Sequence, residues 1–443
     1  MKTKADLIIA NAREVLTCAS AAGAKKGAAM LETGRIENAS IAIVGDVVAG
    51  VGPASAIETQ FESKKVVDAS RRSVVPGFVE SHTHLVYAGN RVGEFELRIK
   101  GADYLEILAA GGGILSTVEM TREASEEELY RQSGARLDKL LKNGVTTCEI
   151  KTGYGLELES ELKMLRVILK LGREHIVDVL PTFLPAHAVP PEWKGREDEF
   201  TDNICNEMIP AAAAALGSES RARSSVREES PGSRVSGPET SEYAAPFFID
   251  VFCEKGAFTL DQCKRVLLAA KECGFQIKAH VDEFTNLGCA RFAIENGAVS
   301  IDHLDATSDA EIELLAGSET VGIVTPTVNF NFGSTEFAPA RKMIDLGCAI
   351  AVSTDYNPGS APCPSLQTAM AIACRYQKLL PAEAVNAVTI NAAAAIGMEP
   401  SVGSIEAGKQ ADLLILETGD YREICYEFGW NFVATVVKGG KIV

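Results

Sequence analysis

Six histidines occur in 443 residues, and two of them stand one residue apart in "VESHTH", as His82 and His84. Three more, His187, His280 and His303, each close a short apolar run, and a further run closes on Asp355 in "STD". Alternate side chains of an extended segment share a face, so His82 and His84 point the same way. With His280 and Asp355 they make a nitrogen and oxygen donor set. Such a set suits a borderline divalent ion such as zinc or iron, with a position left for water. A lone histidine at a strand end is ordinarily a hydrogen-bonded core residue. The pair, the later histidine and the final carboxylate together favour a metal centre.

Other residues near these run ends have chemistry to offer. Glu283 follows His280 by three residues in "HVDE", where a carboxyl could carry a proton between metal-bound water and a substrate nitrogen, or simply complement a helix start. Its neighbour Asp282 shares the second reading, and Glu254, closing "DVFCE", reads as a supporting or structural acid. His303 and His187 are either donors to a developing oxyanion and a peripheral substrate group, or neutral hydrogen-bond fillers. Arg91 is either a bidentate carboxylate fork or a solvated loop charge. Tyr154 in "KTGYG" sits between glycines, in a turn from which its hydroxyl could reach a ligand. "DYNPGS" offers Asn357 and the backbone of Gly359 and Ser360, or else only a Pro-Gly turn.

The elements that would position these groups follow from periodicity. Eight short apolar runs alternate with amphipathic helical stretches: Val74–His84, Val145–Lys151, Val179–His187, Phe247–Glu254, Gln276–His280, Ser300–His303, Val321–Pro326 and Ala349–Asp355. Eight such units predict an α/β fold, a closed (β/α)8 TIM-like barrel whose strand ends converge on one mouth. An open doubly wound sheet normally carries a Gly-rich dinucleotide turn after an early strand, which this chain lacks; "GGGI" follows a helical stretch and reads as a loop. Both chain ends are instead rich in short β-branched runs and Gly turns, as in "SIAIVGDVVAGVG" and "ATVVKGGKIV". The expected organisation is residues 1–75 and 396–443 joined as one small β domain, with residues 76–395 forming the barrel. Residues 217–242, rich in Ser, Arg, Glu, Pro and Gly, read as a flexible insertion in a barrel loop.

Composition narrows the partners. A formal charge of −17 argues against nucleic acid or an anionic membrane, though a small anionic substrate needs only a few placed cations. "MKTKADLIIANAREV" lacks the long apolar core and small-residue cleavage site expected of a secretory signal, no apolar run of about 18 residues occurs, and the eleven cysteines form no C-x-x-C pair. The expectation is a cytoplasmic protein with packed, reduced thiols.

"VVPGFVESHTH", "HVDE", "SIDHLD", "STDYNPGS" and "GSIEAGKQADLLIL" resemble the amidohydrolase superfamily, metal-dependent hydrolases on a (β/α)8 barrel with a β-sandwich built from both chain ends. Within it, "HLVYAGNRVGEFELR", "AGGGILSTV", "EIKTGYGL", "FLPAHAVP" and "STDYNPGSAPCPSL" resemble the imidazolonepropionase family, and the likeness runs nearly the whole chain. The resemblance implies His82, His84, His280 and Asp355 as ligands of one zinc or iron ion. It implies Arg91, Tyr154, His187, Glu283, Asn357, Gly359 and Ser360 as substrate contacts, and a homodimer. The reaction implied is hydrolytic opening of 4-imidazolone-5-propanoate to N-formimidoyl-L-glutamate in histidine degradation. Chemistry and resemblance together give Asp355 and His303 to activation of the water and Glu283 to the leaving nitrogen. A guanine or cytosine deaminase of the same superfamily is the nearest rival; it shares the metal donors but has no need of Arg91 as a carboxylate clamp. A non-catalytic scaffold is the rival from another class, and retention of all four donors speaks against it.

Overall fold

The computed structural model describes residues 2–101, 112–217 and 246–443, so the expected insertion at 217–242 lies, apart from Gly217, outside the described residues. Eight parallel strands run in sequential neighbour order: Phe78–Glu80, Val145–Lys151, Asp178–Ala186, Phe248–Cys253, Gln276–Val281, Ser300–His303, Val321–Val324 and Ile350–Val352. Helices between them cover the outside. In Glu126–Lys142, Ser125 caps the N-terminus by accepting from the Glu128 amide, and Leu129, Leu137 and Leu140 form the buried stripe.

The sheet closes on itself through side chains more than through backbone. Between the last and first strands, Thr83 pairs with Tyr356 as an isolated parallel bridge, and the His84 amide donates to the Tyr356 carbonyl at 3.1 Å. Below that bridge, the buried Glu80 carboxylate accepts from the Thr354 hydroxyl at 2.6 Å, the Thr354 amide at 3.2 Å, and the Ser353 hydroxyl. Ser353 also donates to the His82 carbonyl at 3.0 Å. Burial pushes the Glu80 carboxyl up to about 7 against these donors.

The chain ends come together in a second sheet. Its strands lie in the order Lys441–Ile442, Val433–Lys438, Leu413–Leu416, Ser73–Pro76, Leu7–Leu16, Arg35–Val44 and Val47–Pro53. The seam between the two ends is antiparallel, with Val75 opposite Leu414. Ile9, Ile41, Ile43, Val74, Leu413, Ile415 and Val437 bury one face together. On the opposite side Ile8 and Ala42 pack beneath Ile57 of the helix Ala54–Gln60.

One expectation changes here. The run Val74–His84 reads as a single strand, yet it is divided at Gly77: Ser73–Pro76 belongs to the terminal sheet and Phe78–Glu80 to the barrel. The Gly77 amide donates to the Asp412 carbonyl, and the next amide, Phe78, donates to the Gly144 carbonyl. A Cβ on Gly77 would fall 2.2 Å from Thr146 Oγ1, so the crossing between sheets has no room for a side chain. His82 and His84 therefore lie beyond the first strand, not inside it. Their extended segment is held by Thr83, whose hydroxyl donates to the Glu149 carbonyl at 2.7 Å and whose carbonyl accepts from the Lys151 amide.

Candidate metal centre and ligand pocket

The four donors meet at the C-terminal mouth of the barrel. Nε2 of His84 lies 3.3 Å from Nε2 of His82 and 3.2 Å from Nε2 of His280. Asp355 Oδ1 lies 3.3 Å from His82 Nε2 and 3.4 Å from His84 Nε2. All four side chains are buried, and Asp355 Oδ1 has no hydrogen-bond donor. A tetrahedral ion with bonds of about 2.0–2.1 Å separates its ligands by about 3.3–3.4 Å, so the donor set fits a divalent metal. Burial pushes the imidazoles of His82 and His84 well below their usual range, which leaves them neutral with lone pairs to give.

The orientation of these rings is set by acids the sequence reading did not single out. His82 donates Nδ1–H to Asp302 Oδ2 at 2.7 Å, and His280 donates Nδ1–H to Asp250 Oδ1 at 3.1 Å. Each bond fixes the tautomer that turns Nε2 toward the centre. Asp302 is itself held by the Ser300 hydroxyl at 2.8 Å. Burial disfavours both carboxylates, yet Lys278 and Lys151 around Asp302, and His280 and Lys151 around Asp250, overcome it and keep them ionised. Lys151 Nζ contacts Glu149 Oε1 at 2.9 Å and Asp250 Oδ2 at 2.8 Å, and lies 3.6 Å from Asp302 Oδ2, all fully buried. Their only trace in the sequence is a charged residue inside four of the apolar runs, "EIK", "FIDVF", "QIKAH" and "SIDH", which does not show what each charge faces.

His303 stands beside this cluster, with a ligand atom within 4.8 Å of those of His82 and His280. Its Nδ1 lies 3.1 Å from Thr325 Oγ1, and its Nε2 has no partner among the described residues. Glu283 Oε2 is 3.9 Å from that Nε2. Burial and then Asp355 push the Glu283 carboxyl well above the usual range, while burial takes His303 down to about 3. Asp282, His303 and Asp355 have φ of 56°, 83° and 50°, left-handed values that non-glycine residues adopt at a cost and that cluster at functional sites.

His187 stacks on His84, with ring centres 4.8 Å apart, and its Nδ1–H donates to the Gly153 carbonyl at 2.9 Å. Tyr154 is buried with its ring centre 5.9 Å from that of His84. Its loop is held by Glu161, whose carboxylate accepts from the amides of Gly153 at 3.1 Å, Gly155 at 2.7 Å and Leu156 at 2.8 Å. Asn357 closes "DYNPGS" on itself: its Oδ1 accepts from the amides of Gly359 and Ser360, each at 2.8 Å, and its Nδ2 donates to Ser360 Oγ at 2.7 Å. Arg91 is not a solvated charge. Its Nε and Nη2 grip Glu94 at 2.6–2.9 Å, while Nη1 lies against Gly359, where an added Cβ would come within 2.1 Å. Glu254 is structural, accepting from the amides of Phe284 at 2.9 Å and Thr285 at 3.0 Å. Asp282 Oδ2 accepts from the Thr307 hydroxyl at 2.8 Å. His175 is the sixth histidine and lies elsewhere, with Nε2 at 3.1 Å from Asp138. No helix among the described residues is long and apolar enough to cross a membrane.

Residues 252–443 match the model of the amidohydrolase family. In the zinc-bound adenosine deaminase of Xanthomonas campestris the fold is the same, with a TM-score of 0.69 at 19% identity over 100% of this chain and 93% of that one. The zinc complex of atrazine chlorohydrolase from Arthrobacter aurescens gives 0.66 at 15% identity, over 98% and 94%. Sequence likeness is much closer to imidazolonepropionases. That of Chloroflexus aggregans is 47% identical over 99% of this chain and 98% of its own length, and that of Herpetosiphon aurantiacus is 43% identical over 99% and 97%. The chain belongs to the imidazolonepropionase family of the amidohydrolases.

Proposed function

We propose that this protein hydrolyses 4-imidazolone-5-propanoate to N-formimidoyl-L-glutamate, using one zinc or iron ion held by His82, His84, His280 and Asp355. The reading is carried by one juxtaposition: His82, His280 and Asp355 each present a donor 3.2–3.4 Å from His84 Nε2, with Arg91 held by Glu94 against the "DYNPGS" loop at the same mouth. The end-to-end likeness to imidazolonepropionases supplies the substrate.

When bound, the metal lowers the pKa of water and polarises the ring carbonyl. Asp355, whose Oδ1 faces the imidazoles as the metal donor, takes the proton of the attacking water on its other carboxylate oxygen. In the tautomer in which His303 Nδ1 accepts from the Thr325 hydroxyl, the ring's one proton sits on Nε2 and donates to the oxyanion. Glu283, kept protonated by burial, delivers its proton to the leaving ring nitrogen. Arg91, Tyr154, Asn357, Gly359 and Ser360 orient the propionate arm, and His187 meets the ring through Nε2. An aminohydrolase could share the metal donors, but Arg91 and its anchor have no counterpart role on an uncharged base.

The test is loss of the ultraviolet absorbance of imidazolone propionate, with and without chelator. Turnover that chelation abolishes and zinc or ferrous iron restores is expected. Ammonia release from guanine or cytosine, with imidazolone propionate untouched, would overturn the proposal.

A further inference from the structure

Arg98 lies on the helix Val92–Ile99, seven residues after Arg91, so both guanidinium groups leave the same side of that segment. They converge on one residue. Arg98 Nη2 donates to the Gly359 carbonyl at 3.0 Å, and Arg91 Nη1 packs against the Cα of Gly359. The charges of the two are not balanced alike. Arg91 is neutralised by Glu94, which is fixed in turn by the Gly113 amide at 2.9 Å and the Ser116 hydroxyl at 3.3 Å. Arg98 has no carboxylate within ion-pair distance among the described residues, and its guanidinium carbon sits 5.6 Å from the Phe332 ring centre. Burial and the neighbouring Arg91 work against its charge, and Glu94, without pairing to it, works the other way.

Pinning the loop does not require that charge. Asn331 Nδ2 already donates to the carbonyls of Ser360 at 2.7 Å and Gly359 at 3.4 Å. Among the described residues, Arg91, Glu94 and Arg98 together sum to one positive charge beside the Asn357–Ser360 turn, which matches one carboxylate.

We propose that Arg98 is a specificity-determining residue, supplying the net positive charge by which the pocket selects ligands with one anionic arm. This rests on the function proposed above and assigns the charge recognition within it to a residue besides Arg91.

The experiment compares the metal-loaded wild type with Arg98→Met and Arg98→Lys, using imidazolone propionate and its propionamide analogue as substrates. Imidazole-4-propanoate, a ring that cannot be opened, serves as a calorimetric probe. For Arg98→Met, KM for the acid rises about 10- to 100-fold and kcat stays within about threefold, with the amide unaffected. The probe weakens by a similar factor, and Arg98→Lys falls between. Equal losses on acid and amide would make Arg98 a loop support and overturn the proposal, as would unchanged acid binding. If the wild type binds the probe but turns over neither substrate, the reaction assignment fails, while the calorimetry still decides the role of Arg98. If the wild type binds no anionic ring at all, both fall.

Discussion

Replacing Asp302 tests whether the carboxylates behind the imidazoles set metal affinity. Asp302 Oδ2 receives Nδ1–H of His82 at 2.7 Å with both side chains fully buried, so no water can take its place. Its other oxygen is occupied by Ser300, which fixes the carboxylate plane. Loss of such an outer partner costs about 10- to 100-fold in metal affinity, or about 1.4–2.7 kcal/mol. Asparagine keeps an acceptor oxygen but loses the charge, so Asp302→Asn should sit near the lower end, about 10-fold. Alanine removes acceptor and charge together and should approach 100-fold, about the upper end. The fold should survive either change, because Lys151 keeps its closer partners Glu149 and Asp250 and Lys278 keeps the carbonyls of Ser81 and Ala395. The assay is metal content after dialysis against a graded series of chelator concentrations, with thermal unfolding of the same samples. Wild-type metal affinity in a folded Asp302→Ala protein would refute the reasoning.

Four further outcomes are expected. Lys151→Met should strip two buried carboxylates of their counter-ion and destabilise the protein by about 3–5 kcal/mol, read from urea unfolding. Gly77→Ala should cost about 1–3 kcal/mol by driving a methyl into Thr146, and Thr146→Ala in the same chain should recover most of it. Glu161→Ala should release three amides of the Tyr154 loop and raise KM for imidazolone propionate more than it lowers kcat, as steady-state kinetics would show. Asp305, which accepts from Asn329 and the Ala338 amide, is pushed up to about 7 by burial. An unfolded aspartate titrates near about 3.9, so between those values the native state holds a proton the unfolded state has lost. Stability should then fall as pH rises from about 4 to about 7, and Asp305→Asn should flatten that slope in denaturant titrations.

How far the sequence reached depended on whether a residue announced itself by position or by partner. His82, His84, His280, His303 and Asp355 were legible because each closes an apolar run, and a barrel gathers run ends at one mouth. The terminal sheet was legible from β-branched runs and Gly turns at both ends. The break at Gly77 was not, because nothing in "VVPGF" records that Thr146 leaves no space for a Cβ there. Asp250, Asp302, Lys151 and Glu80 were equally hidden. A charge inside a strand looks like a solvent-facing position until the opposing charges are known to share the barrel interior. Glu94 and Glu161 raise the same difficulty for loops: their roles lie in the amides and guanidinium they hold, several residues or a whole helix away.

The closure of the barrel carries a consequence for how the protein holds together. Seven of its inter-strand seams are ladders, whereas the eighth joins through the Glu80 carboxylate, two hydroxyls and one bridge. The proposed metal donors straddle that seam, with His82 and His84 on one lip and Asp355 on the other. An ion shared between the lips acts as a rivet, so occupancy of the site and zippering of the cylinder draw on a common free energy. Amide exchange at Ile350–Val352 should therefore report the loading of the centre before any unfolding of the whole chain.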